Sequence, residues 1–330
     1  MKSTTMKDVA KHTGFSISTV SHVINKTRNV ETNTRRKILK AMKDLNYVPN
    51  TLIRSINKTA VRTIGAIIAD IREDFYTEIV TALQARAMEH GYNLLLCDSQ
   101  ESAEKEQFHL NTMTSKEVSA IILAPVDTSA TFETLSDSSI PVVMVDRFNE
   151  HLPADFVGID NAQSGAHATR HLLEKGCQNI CFLGHHENIY TIAQRQQGYQ
   201  SALQAASKSS GKTLQIEYFQ GAPNKNIGTS ELKNFFKKNT DLDGVICGTS
   251  SICFEAISVL EALNRKVPKD VRIVTYDDNK WFDYLRTPIT SIIQPTSEIA
   301  SEAVDIAVDR IERPSTIKRK IFLDFSIQER

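Results

Sequence analysis

Two sets of side chains in this chain have the types and spacing to do chemistry. The first is short and N-terminal. Ile17, Ser18, Thr19, Ser21 and His22 follow Gly14 and interleave with Val20, Val23 and Ile24. On a helix, the three aliphatic residues share one face and the interleaved residues take the other. Exposed side chains near the start of such a helix reach base edges in a DNA major groove. Ile17 suits a thymine methyl, Ser18 bonds either base, and His22 donates to a guanine acceptor. Thr19, Ser21 and Thr34 suit phosphates, contacts that position without specifying. Thr5, Ser16 and Asn25, at neighbouring helix ends, complete this set.

The second set is scattered, but each member follows an apolar run: Asp70, Phe75 and Tyr76; Pro125 and Asp127; Asp146 and Arg147; Ser250; Asp277; Gln294. Arg195 lies in Gln194-Arg-Gln-Gln-Gly198-Tyr, where a helix opens after another such run. Carboxylates and guanidinium forks grip hydroxyls in pairs, and an aromatic wall stacks on a sugar ring. For any one aspartate a helix cap is an equal reading, so the argument rests on several coinciding. Trp281 reads equally as pocket lining or as packing between lobes. Two arginines suit a carboxylate as well, which keeps a sugar acid open.

The elements that must position the first set are two short helices joined at Gly14. Thr5 caps the first, with Asp8 three places on as in a capping box, and Val9 and Ala10 face inward. Ser16 caps the second. A third helix, about 32–46, packs behind with Ile38, Leu39, Met42 and Leu45. Pro49 breaks it, and Asn50 can cap a short segment at 51–56 that is too short to stand alone in water. Charge supports a polyanionic partner. Residues 1–60 carry 12 Lys and Arg against three acids, and the remainder carries 27 against 36, so a neutral total hides a +9 head on a −9 body.

The second set needs a different scaffold. Strand candidates fall at 63–69, 92–97, 119–124, 141–145, 156–159, 179–183, 215–219, 243–247, 271–275 and 290–293. Helix candidates fall at 75–90, 101–115, 161–175, 193–207, 227–238, 251–263 and 296–313. Continuous apolar strands alternating with helices imply α/β architecture with doubly wound parallel sheets, and ten strands suit two lobes. Ligands of such sheets sit at the carboxyl ends of strands.

Several classes are excluded or disfavoured. No apolar stretch approaches a membrane span, and the polar start, Met1-Lys2-Ser3-Thr4-Thr5, is no signal peptide, so a cytoplasmic address and no membrane partner are expected. Five cysteines without a secretory signal argue against disulfides. Cys177 and Cys181, near His185 and His186, match no zinc spacing, and no metal or cofactor is expected. G-x-G-x-x-G, the phosphate loop, G-x-S-x-G and H-E-x-x-H are all missing. The histidine pair is the best candidate general base, and no catalytic residues are assigned. A transport binding protein is opposed by the head.

The segment from Thr5 to Asn25, Pro49-Asn50 and the alternating body together resemble the LacI/GalR family of bacterial transcription regulators over essentially the whole chain. Residues 20–28, Val-Ser-His-Val-Ile-Asn-Lys-Thr-Arg, resemble the purine-repressor branch. The resemblance implies an all-α helix-turn-helix head at 1–47, a hinge helix and linker at 48–60, and a core at 61–330 built like periplasmic sugar-binding proteins. Lobe 1 then takes about 61–160 and 293–319, and lobe 2 about 161–292 and 320–330, with crossings near 160, 292 and 320. It implies that Ile17, Ser18 and His22 read bases and that the hinge enters the minor groove at the centre of a palindromic operator. It also implies that Phe75, Asp146, Arg147, Arg195, Asp277 and Gln294 bind the effector.

Departures from the family pattern are specific. Ile53 and Ile56 replace the usual hinge Ala and Leu. Glu31 replaces a capping Ser, Ser250 an Asp or Asn, Thr275 a Gly, and Glu73-Asp74 an Asn-Pro. The expectation is a repressor whose operator affinity follows a sugar or sugar derivative, with a purine-corepressed regulator as the alternative. No heptad repeat precedes Arg330, so a homodimer is expected.

Overall fold

The computed structural model describes residues 5–25, 28, 30–45, 47, 62–126, 135, 139–184, 189–210, 217–220, 229–278, 280–285 and 287–330. The chain divides into two units, Met1–Val61 and Arg62–Arg330.

In the first unit, α1 (Met6–Thr13), α2 (Ile17–Asn25) and α3 (Thr32–Asp44) enclose an apolar centre of Val9, Ala10, Val20, Val23, Ile38 and Ala41. The capping box forms. The Asp8 carboxylate accepts from the Thr5 amide at 2.8 Å, and the Asp8 amide donates to the Thr5 hydroxyl. Gly14 turns the chain at φ +70°, a conformation that costs glycine nothing. Ser16 closes the start of α2 by accepting from the Thr19 amide at 3.1 Å. The Glu31 side chain accepts from no backbone N–H at the start of α3, which therefore begins without a side-chain cap.

The second unit holds two six-stranded sheets. The first is formed by β1 (Thr63–Ile68), β2 (Asn93–Asp98), β3 (Ala120–Leu123), β4 (Val142–Val145), β5 (Asp155–Ile159) and β11 (Lys320–Leu323), in the order β11-β5-β4-β3-β1-β2 and parallel throughout. The second is formed by β6 (Ile180–Gly184), β7 (Glu217–Gln220), β8 (Gly244–Cys247), β9 (Arg272–Tyr276), β10 (Thr290–Ile293) and β12 (Ser326–Gln328), in the order β12-β10-β9-β8-β6-β7. Only β12 runs antiparallel to its neighbour. Strands β3 and β4, Ala-Ile-Ile-Leu and Val-Val-Met-Val, are buried at every position because helices cover both faces.

The helices are α4 (Asp74–Glu89), α5 (Ala103–Ser115), α6 (Asn161–Glu174), α7 (Tyr190–Ser210), α8 (Thr229–Lys238), α9 (Ser250–Ala262) and α10 (Thr296–Glu312). Helix α10 returns to the first sheet, burying Ile299, Ala300, Ala303, Val304 and Ala307 with Ile64, Ile122 and Val143. Helices α6 and α7 touch backbone to backbone. A Cβ on Gly198 would stand 1.9 Å from the Ala162 carbonyl oxygen. A Cβ on Gly165 would stand 2.1 Å from the Arg195 carbonyl oxygen, so the pair of glycines sets where Arg195 lies.

The chain passes between sheets three times: between β5 and α6, between β10 and α10, and between Leu323 and Ser326. The last crossing corrects the expected position near 320, and lobe 2 takes only the residues after it. Residues 320–323 still belong to the first sheet, Lys320 pairing with Phe156 and Leu323 with Ile159. The cause is a buried ion pair. Arg310 donates Nε and Nη2 to the Asp155 carboxylate at 2.9 and 2.7 Å, and the Arg319 amide donates to Asp155 at 2.7 Å. This ties α10, β5 and the approach to β11 into one node. Strands β11 and β12 and the 3₁₀ turn Lys280–Tyr284 add to the ten expected strands. Among the described residues, no helix is long and apolar enough to cross a membrane.

Candidate functional site

Asp146 and Asp277 occupy equivalent places. Each follows the fourth strand of its own sheet, β4 or β9, and each takes left-handed backbone, φ +64° and +63°. Aspartate tolerates this conformation better than most residues, and such positions concentrate at functional sites. Each lobe thus offers one carboxylate at the carboxyl ends of its strands, where ligands of these sheets bind.

Arg195, on α7, is buried. Its Nε donates to Asn161 Oδ1 at 2.8 Å, its Nη1 to the Gly248 carbonyl at 2.7 Å, and its guanidinium lies 3.7 Å from the Tyr276 ring centre. Burial pushes the Asp277 carboxyl up to about 6. Arg195 and a 2.7 Å bond from Gln294 Nε2 pull against this, and the charge of Asp146 adds to the rise. Burial likewise raises Asp146, opposed by Arg147, by Arg195 and by the hydroxyl of Tyr76, which donates at 2.8 Å. Two carboxylates from opposite lobes therefore share the field of one guanidinium.

Arg147 stands differently. Its Nη1 donates to Glu101 at 2.8 Å, its Nη2 to the other oxygen of the same carboxylate, and its Nε stays 3.7 Å from Asp146. Its charge is already matched. Asp70 is gripped by Arg72 in the same manner. Buried polar atoms remain unsatisfied within the protein: Asn161 Nδ2, Gln294 Oε1 and Arg147 Nε. Orphans of this kind call for water or a ligand.

A cavity of about 460 Å³ opens beside this cluster. Phe75, Glu78, Ser250, Asp277, Trp281 and Gln294 are among the residues that line it. Of the expected effector residues, Phe75, Ser250, Asp277, Trp281 and Gln294 line the cavity, while Tyr76, Asp146, Arg147 and Arg195 lie in the buried network. Asp127 falls outside the described residues, as do Asn50, Ile53, Ile56, His185 and His186.

Residues not expected from the sequence matter as well. Asn161 opens α6 and orients Arg195. Glu101 neutralises Arg147. Tyr276 gives Arg195 its stacking surface and bonds Ser164 at 2.8 Å. Asn161 carried the same signal as the expected residues, a polar side chain just past a strand. Glu101 carried none.

On the head, Ile17 is 47% exposed although it is apolar. Ser18 is exposed, and Thr19, Ser21, His22 and Thr34 are partly so. The Ser16 hydroxyl lies 2.8 Å from both the Ser18 and Thr19 hydroxyls. Thr5 is committed to the capping box, Thr34 bonds Glu31 weakly at 3.4 Å, and Asn25 ends α2. An exposed apolar side chain among hydroxyls at a helix start is the surface a thymine methyl and base edges would meet.

No disulfide joins the five cysteines, four of which are buried. Burial pushes Cys177 up to about 11, so it holds its proton at neutral pH. Among the described residues, no three His, Cys, Asp or Glu side chains form a metal-binding group.

Comparison with known proteins adds to this geometry. Residues 5–50 match the family described as bacterial regulatory proteins, lacI family, and residues 64–313 match a periplasmic binding protein domain. The HTH-type transcriptional repressor PurR of Vibrio atlanticus is 30% identical over 329 residues, 99% of this chain and 97% of its own. The HTH-type transcriptional regulator RegA of Clostridium saccharobutylicum is 30% identical over 330 residues, 99% of this chain and 98% of its own. These relatives are transcriptional regulators. Among solved structures, the transcriptional regulator CelR in complex with cellobiose aligns with a TM-score of 0.71 at 26% identity, over 98% of both chains. The lac repressor dimer bound to operator and the anti-inducer ONPF aligns at 0.84 with 20% identity, over 99% of this chain and 98% of that one, a likeness of fold.

Proposed function

We propose, for a chain that belongs to the lacI family of bacterial regulatory proteins, a sequence-specific transcriptional repressor whose grip on DNA is set by a neutral polyhydroxylated effector. The observation that carries the effector side is the buried Arg195, fixed by Asn161, the Gly248 carbonyl and the Tyr276 ring, whose charge acts on both Asp146 and Asp277. Carboxylates accept from hydroxyl donors, Asn161 and the guanidinium donate, and a hydroxyl group is both donor and acceptor. A sugar matches that set face by face. A sugar acid or phosphate is less well served, because Arg147 is matched by Glu101 and the charge of Arg195 already acts on two carboxylates. The purine alternative draws on residues 20–28 of the head rather than on these side chains.

On the DNA side, two copies of the chain would place two α2 helices on a palindromic operator, Ile17, Ser18 and His22 reading bases, with the hinge segment near Asn50, Ile53 and Ile56 between them. An effector acts only if it binds one arrangement of the lobes better than the other. The reading places the protein with DNA in the cytoplasm and gives no residue a catalytic role.

Selection from a random duplex pool tests the DNA half. The wild-type chain should enrich an inverted repeat. His22→Ala should relax preference at one symmetric position by about 1–3 kcal/mol and leave the rest of the repeat intact. Enrichment of the same repeat with unchanged preference at every position would remove His22 from base readout. No enriched repeat for the wild-type chain would overturn the DNA-reading head.

A further inference from the structure

We propose that the effector has two sugar rings, the first held by the polar cluster and the second seated on Trp281. This deepens the polyhydroxyl reading and rests on it. The cavity grades from one character to another. Of the residues that line it, Phe75, Ser250 and Gln294 are buried and Asp277 supplies a carboxylate, whereas Trp281 is 66% exposed. At about 460 Å³ it leaves room beyond a single pyranose ring, within the roughly 300–1,000 Å³ typical of small-molecule sites.

An exposed tryptophan is a large apolar surface left in water, and here it is held in place rather than loose. Arg330 clamps both flanks of the turn that carries it. Its Nη1 and Nη2 donate to Asp278 at 2.6 and 3.0 Å, and its Nη2 donates to Asp283 at 2.9 Å. Ser291 donates to Asp278 as well, and Phe282, next to Trp281, is anchored in the core. The turn is thus fixed from below while the indole lines the cavity. A fixed aromatic loses little freedom when a ligand stacks on it, so stacking yields more net affinity. Thr296 and Glu78, joined at 3.0 Å, stand by to meet the hydroxyls of a second ring. A single-ring ligand on the buried residues would leave Trp281 uncovered.

The test uses the fact that Trp281 is the chain's one tryptophan. The full-length protein is titrated with glucose, galactose, cellobiose, maltose, lactose and melibiose, by calorimetry and by tryptophan emission. The proposal expects a disaccharide to bind at least tenfold tighter than either of its component hexoses and to shift the emission to shorter wavelength. Trp281→Ala should cut disaccharide affinity at least tenfold and leave hexose affinity within about twofold, while Trp281→Phe recovers part of the loss. Because the indole is mostly exposed, the variants should keep their fold, which circular dichroism checks. A hexose that binds as tightly as any disaccharide, with emission unmoved and Trp281→Ala silent, overturns the two-ring proposal and leaves the sugar reading standing. Binding of no sugar, with a purine base or sugar acid binding instead, overturns the sugar reading and this proposal with it.

Discussion

Arg195→Ala should abolish the effector response while leaving operator binding within about threefold of wild type. The guanidinium holds Asn161 and the Gly248 carbonyl, stacks on Tyr276, and supplies the positive field for two carboxylates from opposite lobes. Truncating one member of a buried, hydrogen-bonded charge set costs about 2–5 kcal/mol, a loss of about 30-fold or more in effector affinity. Asp277 and Asp146 would then sit buried with less compensation, so both would hold protons to higher pH and accept fewer hydroxyl bonds. Arg195→Lys keeps the charge but loses the planar fork, and should fall between the two. The measurement is calorimetric titration with the best ligand from a thermal-shift screen, run beside an operator titration without ligand. Effector affinity within about threefold of wild type would take Arg195 out of the binding set. Weakened operator binding with normal effector affinity would move it to the coupling between the two.

Asp155→Ala should destabilise the second unit by about 3–5 kcal/mol, because it leaves Arg310 buried without its partner. The damage should extend beyond one ion pair. Asp155 also receives the Arg319 amide, and Arg310 Nη2 donates to the Ile317 carbonyl at 2.7 Å, so the node fixes the approach to β11. Joint replacement of Asp155 and Arg310 by apolar residues of similar size should cost less than the single change. Denaturant unfolding of residues 62–330 and the full chain measures both variants. A single-variant loss below about 1 kcal/mol would mean that the node contributes packing but little charge pairing.

The two variants mark how far the sequence could be read. Runs such as Ala-Ile-Ile-Leu at 120–123 and Val-Val-Met-Val at 142–145 announce buried parallel strands because both faces are covered. The head was legible for a different reason. Capping residues, Gly14 and a one-sided aliphatic stripe all act within a few positions of one another, so local spacing carries the information. Strands β11 and β12 were not legible. They have four and three residues and are half exposed; β11 owes its place to Asp155 and β12 to its pairing with β10, each a partner far earlier in the chain.

The site divides along the same line. Asp146 and Asp277 were found because a polar residue just past an apolar strand points to the ligand end of such a sheet. That Arg147 is matched by Glu101 depends on a pairing 46 positions apart, which no local pattern encodes. The same holds for Asn161, whose contact with Arg195 follows from the close crossing of α6 and α7 at Gly165 and Gly198.

The central claim is that occupancy of the cleft and grip on DNA are one coupled equilibrium. Linkage tests it directly: the operator dissociation constant is measured with and without saturating ligand, and the ligand dissociation constant with and without saturating operator. The account predicts that the two ratios agree, at a value in the range of about 5–150-fold expected of coupled sites. Two ratios both equal to one, for a ligand that demonstrably binds the cleft, would contradict it.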